Sequence, residues 1–165
     1  MDAISPSSSS SSTHQWKYHV FLSFRCEDTR KSFTDHLYAV LNQKGIYTFR
    51  DDEKLERGKR ISPVLFKAIE DSFFAIVILS KNYASSTWCL NELVKIMDCN
   101  KKMGLIVLPI FYDVNPSVVR KQIGTYAQAF VKHEKRFKKN RKKVHKWRAA
   151  LKDVSNLSGW SLEDR

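Results

Sequence analysis

The sequence predicts an α/β fold, a doubly wound sheet of parallel strands, and three observations lead there. Strand-like runs begin at Tyr18, Ile46, Phe73 and Leu105, spaced 28, 27 and 32 residues apart, room each time for one strand and one helix. Residues 73–79 and 105–112 are apolar throughout instead of alternating, as strands covered by helices on both faces are. Between the runs, apolar residues recur at helical spacing.

The first run, Tyr18-His19-Val20-Phe21-Leu22-Ser23, is aromatic and β-branched and ends in a charged stretch with Arg25, Glu27, Asp28 and Arg30. Open parallel sheets place their ligands at such a carboxyl end. Phe33, Leu37, Val40 and Leu41 then form a helical stripe, which Gly45 closes before the second strand. After that strand comes a charged loop over residues 51–60, with Asp51, Asp52, Arg57 and Lys59. Ser62 and Pro63 make an N-cap and a first-turn proline for a helix through Leu65, Phe66 and Ile69. The third strand follows at Phe73. On the next helix, starting near Trp88, the residues Leu90, Leu93, Val94 and Met97 gather on one side, with Trp88, Glu92 and Ile96 nearly opposite. That pattern points Glu92 away from the core. Gly104 closes the helix. Pro109 cannot donate to a ladder, so the fourth strand belongs toward an edge or carries an irregularity. Val119, Ile123, Ala127 and Phe130 form another stripe, and Val144, Trp147, Leu151 and Val154 a last one. A weak fifth strand starts at Gly159.

Composition narrows the class. The 165 residues allow one domain with a real core, and 42% hydrophobic content is ordinary for a globular chain. No apolar run approaches the roughly 20 residues that span a bilayer. Residues 1–16 read as a disordered, serine-rich leader, without the basic start or apolar core of a signal peptide. Three cysteines without metal-ligand spacing fit a reducing compartment, the cytoplasm or the nucleus. The net charge of +12 is concentrated. From Lys132 to Arg148 there are ten Lys or Arg against Glu134 alone, a local +9. Such a block reads as a solvated connection between helices or, alternatively, as a nucleic-acid contact.

Two strings carry a family resemblance: residues 18–30 just described, and Ser86-Thr87-Trp88-Cys89-Leu90-Asn91-Glu92-Leu93. Together they closely resemble the plant type of Toll/interleukin-1 receptor (TIR) domain. The resemblance covers about residues 17–163, within a domain over 17–165. It implies a flavodoxin-like sheet of five strands in the order 2-1-3-4-5, with the family's final helix beginning after Arg165. It further implies an NAD+-cleaving activity with Glu92 as the catalytic residue, NAD+ or NADP+ as substrate, no cofactor and no metal. Periodicity alone makes Glu92 a plain exposed carboxylate paired with Lys95 at i+3.

No GxGxxG or GxxxxGK string is present, so a bound phosphate is met by side chains, for which arginine suits best. Arg25 is the first candidate. Arg57 and Lys59 resemble the family's closing loop, and Trp88 offers a flat face to a nicotinamide ring. Asp35 and His36 sit off the core stripe of the first helix, where the family packs against another copy, although Asp35 replaces a common serine. The family also usually has glycine where this chain has Cys26, which introduces either backbone strain or crowding of the site. The function implied is an NAD+ nucleosidase of a plant intracellular immune receptor, activated by self-association with other TIR domains. Its alternatives are a non-catalytic TIR adaptor and a nucleic-acid-binding domain. A phosphorelay receiver is excluded, because Arg25 and Ser80-Lys81 stand where its acidic residues belong.

Overall fold

The computed structural model describes residues 16–29, 33–50 and 63–163. Chain order is β1 (Tyr18–Ser23), α1 (Cys26–Thr29), α2 (Asp35–Gln43), β2 (Thr48–Arg50), α3 (Pro63–Glu70), β3 (Ser72–Leu79), a 3-10 turn (Tyr83–Ser85), α4 (Thr87–Met103), β4 (Ile106–Tyr112), α5 (Pro116–Lys121), α6 (Thr125–Arg136), α7 (Arg141–Ser155) and β5 (Trp160–Leu162). All strand pairs are parallel and the sheet order is β2-β1-β3-β4-β5, as expected from the sequence. The carboxyl ends of the strands therefore share one edge. Ser23 of β1 lies opposite Val77 of β3 there, and Leu22 opposite Arg50 of β2.

Alternate strand residues feed two cores, because successive side chains leave a strand on opposite faces. Phe21, Ala75, Val77, Leu79, Val107 and Phe111 join the larger core, under α3 to α7. Val20, Leu22, Ile76, Ile78 and Ile110 join the smaller one, under α2. The Phe33/Leu37/Leu41 stripe does pack there, but no residue of α2 is fully buried.

Both helix-closing glycines lie in the left-handed region, Gly45 at φ 76° and Gly104 at φ 74°. Pro109 is tolerated for the reason anticipated: β4 is next to the edge, and β5 pairs with it only from Ile110 onward. The stripe from Val119 to Phe130 is split, however. Gln122 and Gly124 both take positive φ, dividing it into α5 and α6 and leaving Ile123 exposed between them. None of the described helices is long and apolar enough to cross a membrane.

Candidate active site

Everything at the carboxyl edge is arranged around the segment that leaves β3. Residues 80–86 descend from Leu79 into α4, whose first turn is capped by Ser86 accepting from the Cys89 amide at 3.1 Å. Two elements, α1 and α6, hold this segment. Asp28 of α1 accepts from Ser80 Oγ at 2.6 Å and from the Asn82 amide at 2.9 Å. From α6, Tyr126 Oη donates to Ser80 O at 2.7 Å and Thr125 Oγ1 to Lys81 O at 2.8 Å. His133 Nε2 lies 2.7 Å from Ala84 O; a carbonyl only accepts, so Nε2 carries the proton. Burial, helped by Arg136 and Arg148 nearby, holds the His133 pKa below its ordinary value. A neutral ring suits that buried bond.

Glu92 is where sequence and structure part. Periodicity pointed it outward, yet it is 0% exposed, and Ile96 is equally buried. The helix α4 touches the sheet, α3, α7 and the 3-10 turn, so it has buried faces on several sides instead of a single stripe. The anticipated Lys95 partner is not used for Glu92: Lys95 Nζ bonds Glu70 Oε1 at 2.7 Å. Glu92 instead reaches the last residue of β1, where Ser23 Oγ donates to Oε1 at 3.0 Å.

A short hydroxyl network continues from there. Tyr83 Oη is 2.9 Å from Ser23 Oγ and donates to Cys89 O at 3.2 Å. Ser23 has one hydroxyl proton, committed to the carboxylate, so the single phenolic proton of Tyr83 is shared between Cys89 O and Ser23 Oγ. Burial first, then Cys89 and Glu92, push the Tyr83 pKa well above its ordinary value, and the phenol stays protonated. Cys89 Sγ closes the same corner onto Phe24 O at 3.4 Å. Ser23 and Tyr83 were missed in the sequence; the only signal was that Ser23 is the last strand position before the charged stretch.

Trp88 sits one turn before Glu92 at the start of α4, half-buried and packed against the larger core rather than standing clear of it. Arg25 lies two residues beyond the end of β1 and is held by two carboxylates, Glu27 at 2.9 Å and Asp28 at 3.1 Å. Arg57 and Lys59 lie outside the described residues. Cys26 opens α1 without a positive φ and packs against the smaller core. Backbone strain is thereby removed as the meaning of this substitution. Asp35 and His36 are both exposed on α2, and Asp35 accepts from Arg50 Nη1 at 2.7 Å while that guanidinium lies over the Tyr38 ring at 4.2 Å. No group of acids, histidines and cysteines able to hold a metal occurs among the described residues.

One surface concavity, about 680 Å³, lies between α6 and α7, and another, about 320 Å³, is lined by Lys17, Pro63 and Asp71. Neither is lined by Glu92. The carboxyl edge is singled out by its chemistry: a fully buried carboxylate on an internal hydroxyl, where parallel sheets bind ligands.

Comparison with known proteins agrees with the fold. The family model "TIR domain" matches residues 17–165. The chain is 58% identical over 151 residues to TMV resistance protein N of Nicotiana glutinosa, covering 92% of this chain and 13% of that protein. It is 54% identical over 162 residues to disease resistance protein RPV1 of Vitis rotundifolia, 98% of this chain and 11% of that one. The chain thus spans about an eighth of the length of these relatives. Among solved structures it matches the TIR domains of the activated Roq1 resistosome, described as directly recognizing the pathogen effector XopQ. There the TM-score is 0.83 at 59% identity, covering 88% of each chain. With the five-stranded parallel sheet, the family model over residues 17–165 and relatives of this identity, the chain belongs to the TIR domain family.

Proposed function

We propose that this domain cleaves the nicotinamide–ribose bond of NAD+ and serves plant disease resistance, releasing nicotinamide and ADP-ribose or its cyclic form. The observation that carries the reading is Glu92. A carboxylate wholly buried at the ligand-binding edge of a parallel sheet costs several kcal/mol of desolvation, which a purely structural position has no reason to bear.

The chemistry needs one carboxylate. Glycosidases commonly use a second acid to protonate the leaving oxygen. Nicotinamide in NAD+ is already a cationic pyridinium and departs neutral, so no proton donor is required. Positive charge develops on the ribose as the bond breaks, and a fixed anion in a water-poor setting stabilises it. Ser23 orients Glu92 Oε1 by its 3.0 Å bond. Trp88 supplies an aromatic surface one turn away. Arg25 meets a phosphate by exchanging one of its carboxylate partners, and Glu27 is the more exposed of the two. Arg57 and Lys59 complete the phosphate contacts in this reading. NADP+ remains an alternative substrate, and the reaction uses no cofactor or metal.

Activity depends on assembly through α2, whose Asp35 and His36 are exposed and whose side away from the sheet is unburied. The similar TIR domains of Roq1 belong to an activated resistosome, which supports that reading. The site of action is the cytoplasm or the nucleus. In the rival reading the domain is a non-catalytic TIR adaptor that signals by contact alone. Incubating the purified chain with NAD+ at rising protein concentration separates the two. Nicotinamide release with a rising specific activity is expected, and its absence at every concentration refutes the enzyme.

A further inference from the structure

The +9 stretch forms a shaped surface. Its concavity of about 680 Å³ between α6 and α7 has an apolar floor of Val131, Phe137 and Val144. Val131 is 55% exposed, so part of that floor faces water.

The cations around it divide into two sets. Arg148 donates to Glu134 at 2.6 Å and to Gln122 at 2.8 Å, and lies over the Phe130 ring at 4.3 Å. Lys143 lies over Phe137 and Trp147, and Arg136 over Phe137. Arg148 and Lys143 tie α6 to α7, while Arg136 covers its own neighbour. Lys135, Lys138 and Arg141 line the concavity, are exposed, and make no ion pair with any described residue. Three like charges beside an apolar floor repel one another until an anion neutralises them.

We propose that this concavity docks an acidic peptide segment of a partner protein. Its carboxylates engage Lys135, Lys138 and Arg141, and one aliphatic or aromatic side chain fills the floor at Val131 and Val144. Nucleic acid fits less well, for two reasons. Base stacking needs a broad free aromatic face, and Phe137 in the lining is approached by Arg136 at 5.1 Å, by Lys143 at 5.3 Å and by the Trp147 ring at 5.2 Å, which leaves only the small imidazole of His145. The apolar floor of Val131 and Val144 also finds no counterpart on a sugar–phosphate backbone, whereas a peptide supplies an aliphatic or aromatic side chain to it. The proposal is independent of NAD+ chemistry, since neither Glu92 nor Ser23 lines this surface.

The test selects random dodecapeptides from a display library on the purified chain. Enriched peptides are measured by fluorescence anisotropy beside polyglutamate and a 12-nucleotide single-stranded DNA. Net-negative peptides with at least one large apolar residue are expected to be enriched. Lys138→Glu/Arg141→Glu should weaken them at least tenfold and Val131→Ser at least threefold, with unchanged circular dichroism because all three positions are exposed. Polyglutamate should bind at least tenfold more weakly than the selected peptides. Three results would overturn the proposal: no acidic enrichment, polyglutamate binding as tightly, or DNA binding more tightly than the peptides with loss in the double variant.

Discussion

Replacing Glu92 by glutamine changes charge while keeping shape, and the buried geometry fixes what should follow. The amide oxygen still accepts from Ser23 Oγ, now as a neutral bond instead of a charge-assisted one. That difference is worth about 1–1.5 kcal/mol against the folded state. Removing a fully buried charge returns a desolvation penalty of several kcal/mol in its favour. The second term is larger, so Glu92→Gln should melt no lower than the parent and rises by about 2–4 °C for each net kcal/mol. Activity should go the other way. Loss of one preorganised group facing developing charge costs about 10²–10³ in kcat. The assay is nicotinamide release followed by chromatography, with differential scanning calorimetry on the same preparation. Wild-type turnover in a folded Glu92→Gln protein refutes the catalytic assignment outright. A melting point several degrees lower with turnover intact would make Glu92 a structural acceptor for Ser23.

Four further outcomes are expected. Ser23→Ala removes the donor to the carboxylate, so calorimetry should show a loss of about 1.5–3 kcal/mol and nicotinamide release should fall; Tyr83→Phe keeps the Ser23–Glu92 bond and should retain more activity. Asp28→Asn weakens its bonds to Arg25, Ser80 and Asn82 together, and denaturant melts should register about 1–3 kcal/mol. His133 is held neutral by burial, so its contribution to stability is complete above the unfolded pKa of about 6.5 and declines as pH falls below it; His133→Gln should flatten the melting-temperature profile between pH 7.5 and 5. His36 is exposed, so His36→Ala should leave stability within about 0.5 kcal/mol while flattening the rise of specific activity with protein concentration.

The sheet was legible because its signals are local and repeated. Strand spacing, two wholly apolar runs and helix-ending glycines each constrain the same answer, and Pro109 added that β4 lies beside an edge. The division of α5 from α6 was not legible. It rests on Gln122 in a left-handed conformation, which glutamine's chemistry does not announce, and the stripe from Val119 to Phe130 runs across the break undisturbed. The site was half legible. The resemblance named Glu92 and the charged end of the first strand named Arg25, but their surroundings Ser23, Asp28 and Tyr83 come from segments up to 69 residues away, and single hydroxyls leave no periodic trace.

The misplacement of Glu92 has a physical cause that bears on function. A helical stripe reveals burial only for a helix with one buried face. Helix α4 is enclosed by the sheet, α3, α7 and the 3-10 turn, so a position opposite Leu90 and Leu93 is also interior. Ile96 at such a position satisfies the ordinary expectation that an apolar residue fills it. Glu92, one turn earlier, does not. A helix carrying a carboxylate among Cys89, Leu90, Leu93 and Ile96 is less stable than one carrying a methionine or leucine there, a cost that function explains and packing does not. Local rules that fail at one residue, within a fold that otherwise obeys them, commonly mark a working site. The outward-facing Glu92 read from periodicity would have been unremarkable on any helix surface; the buried one, held by Ser23 at the ligand edge, calls for a chemical reason.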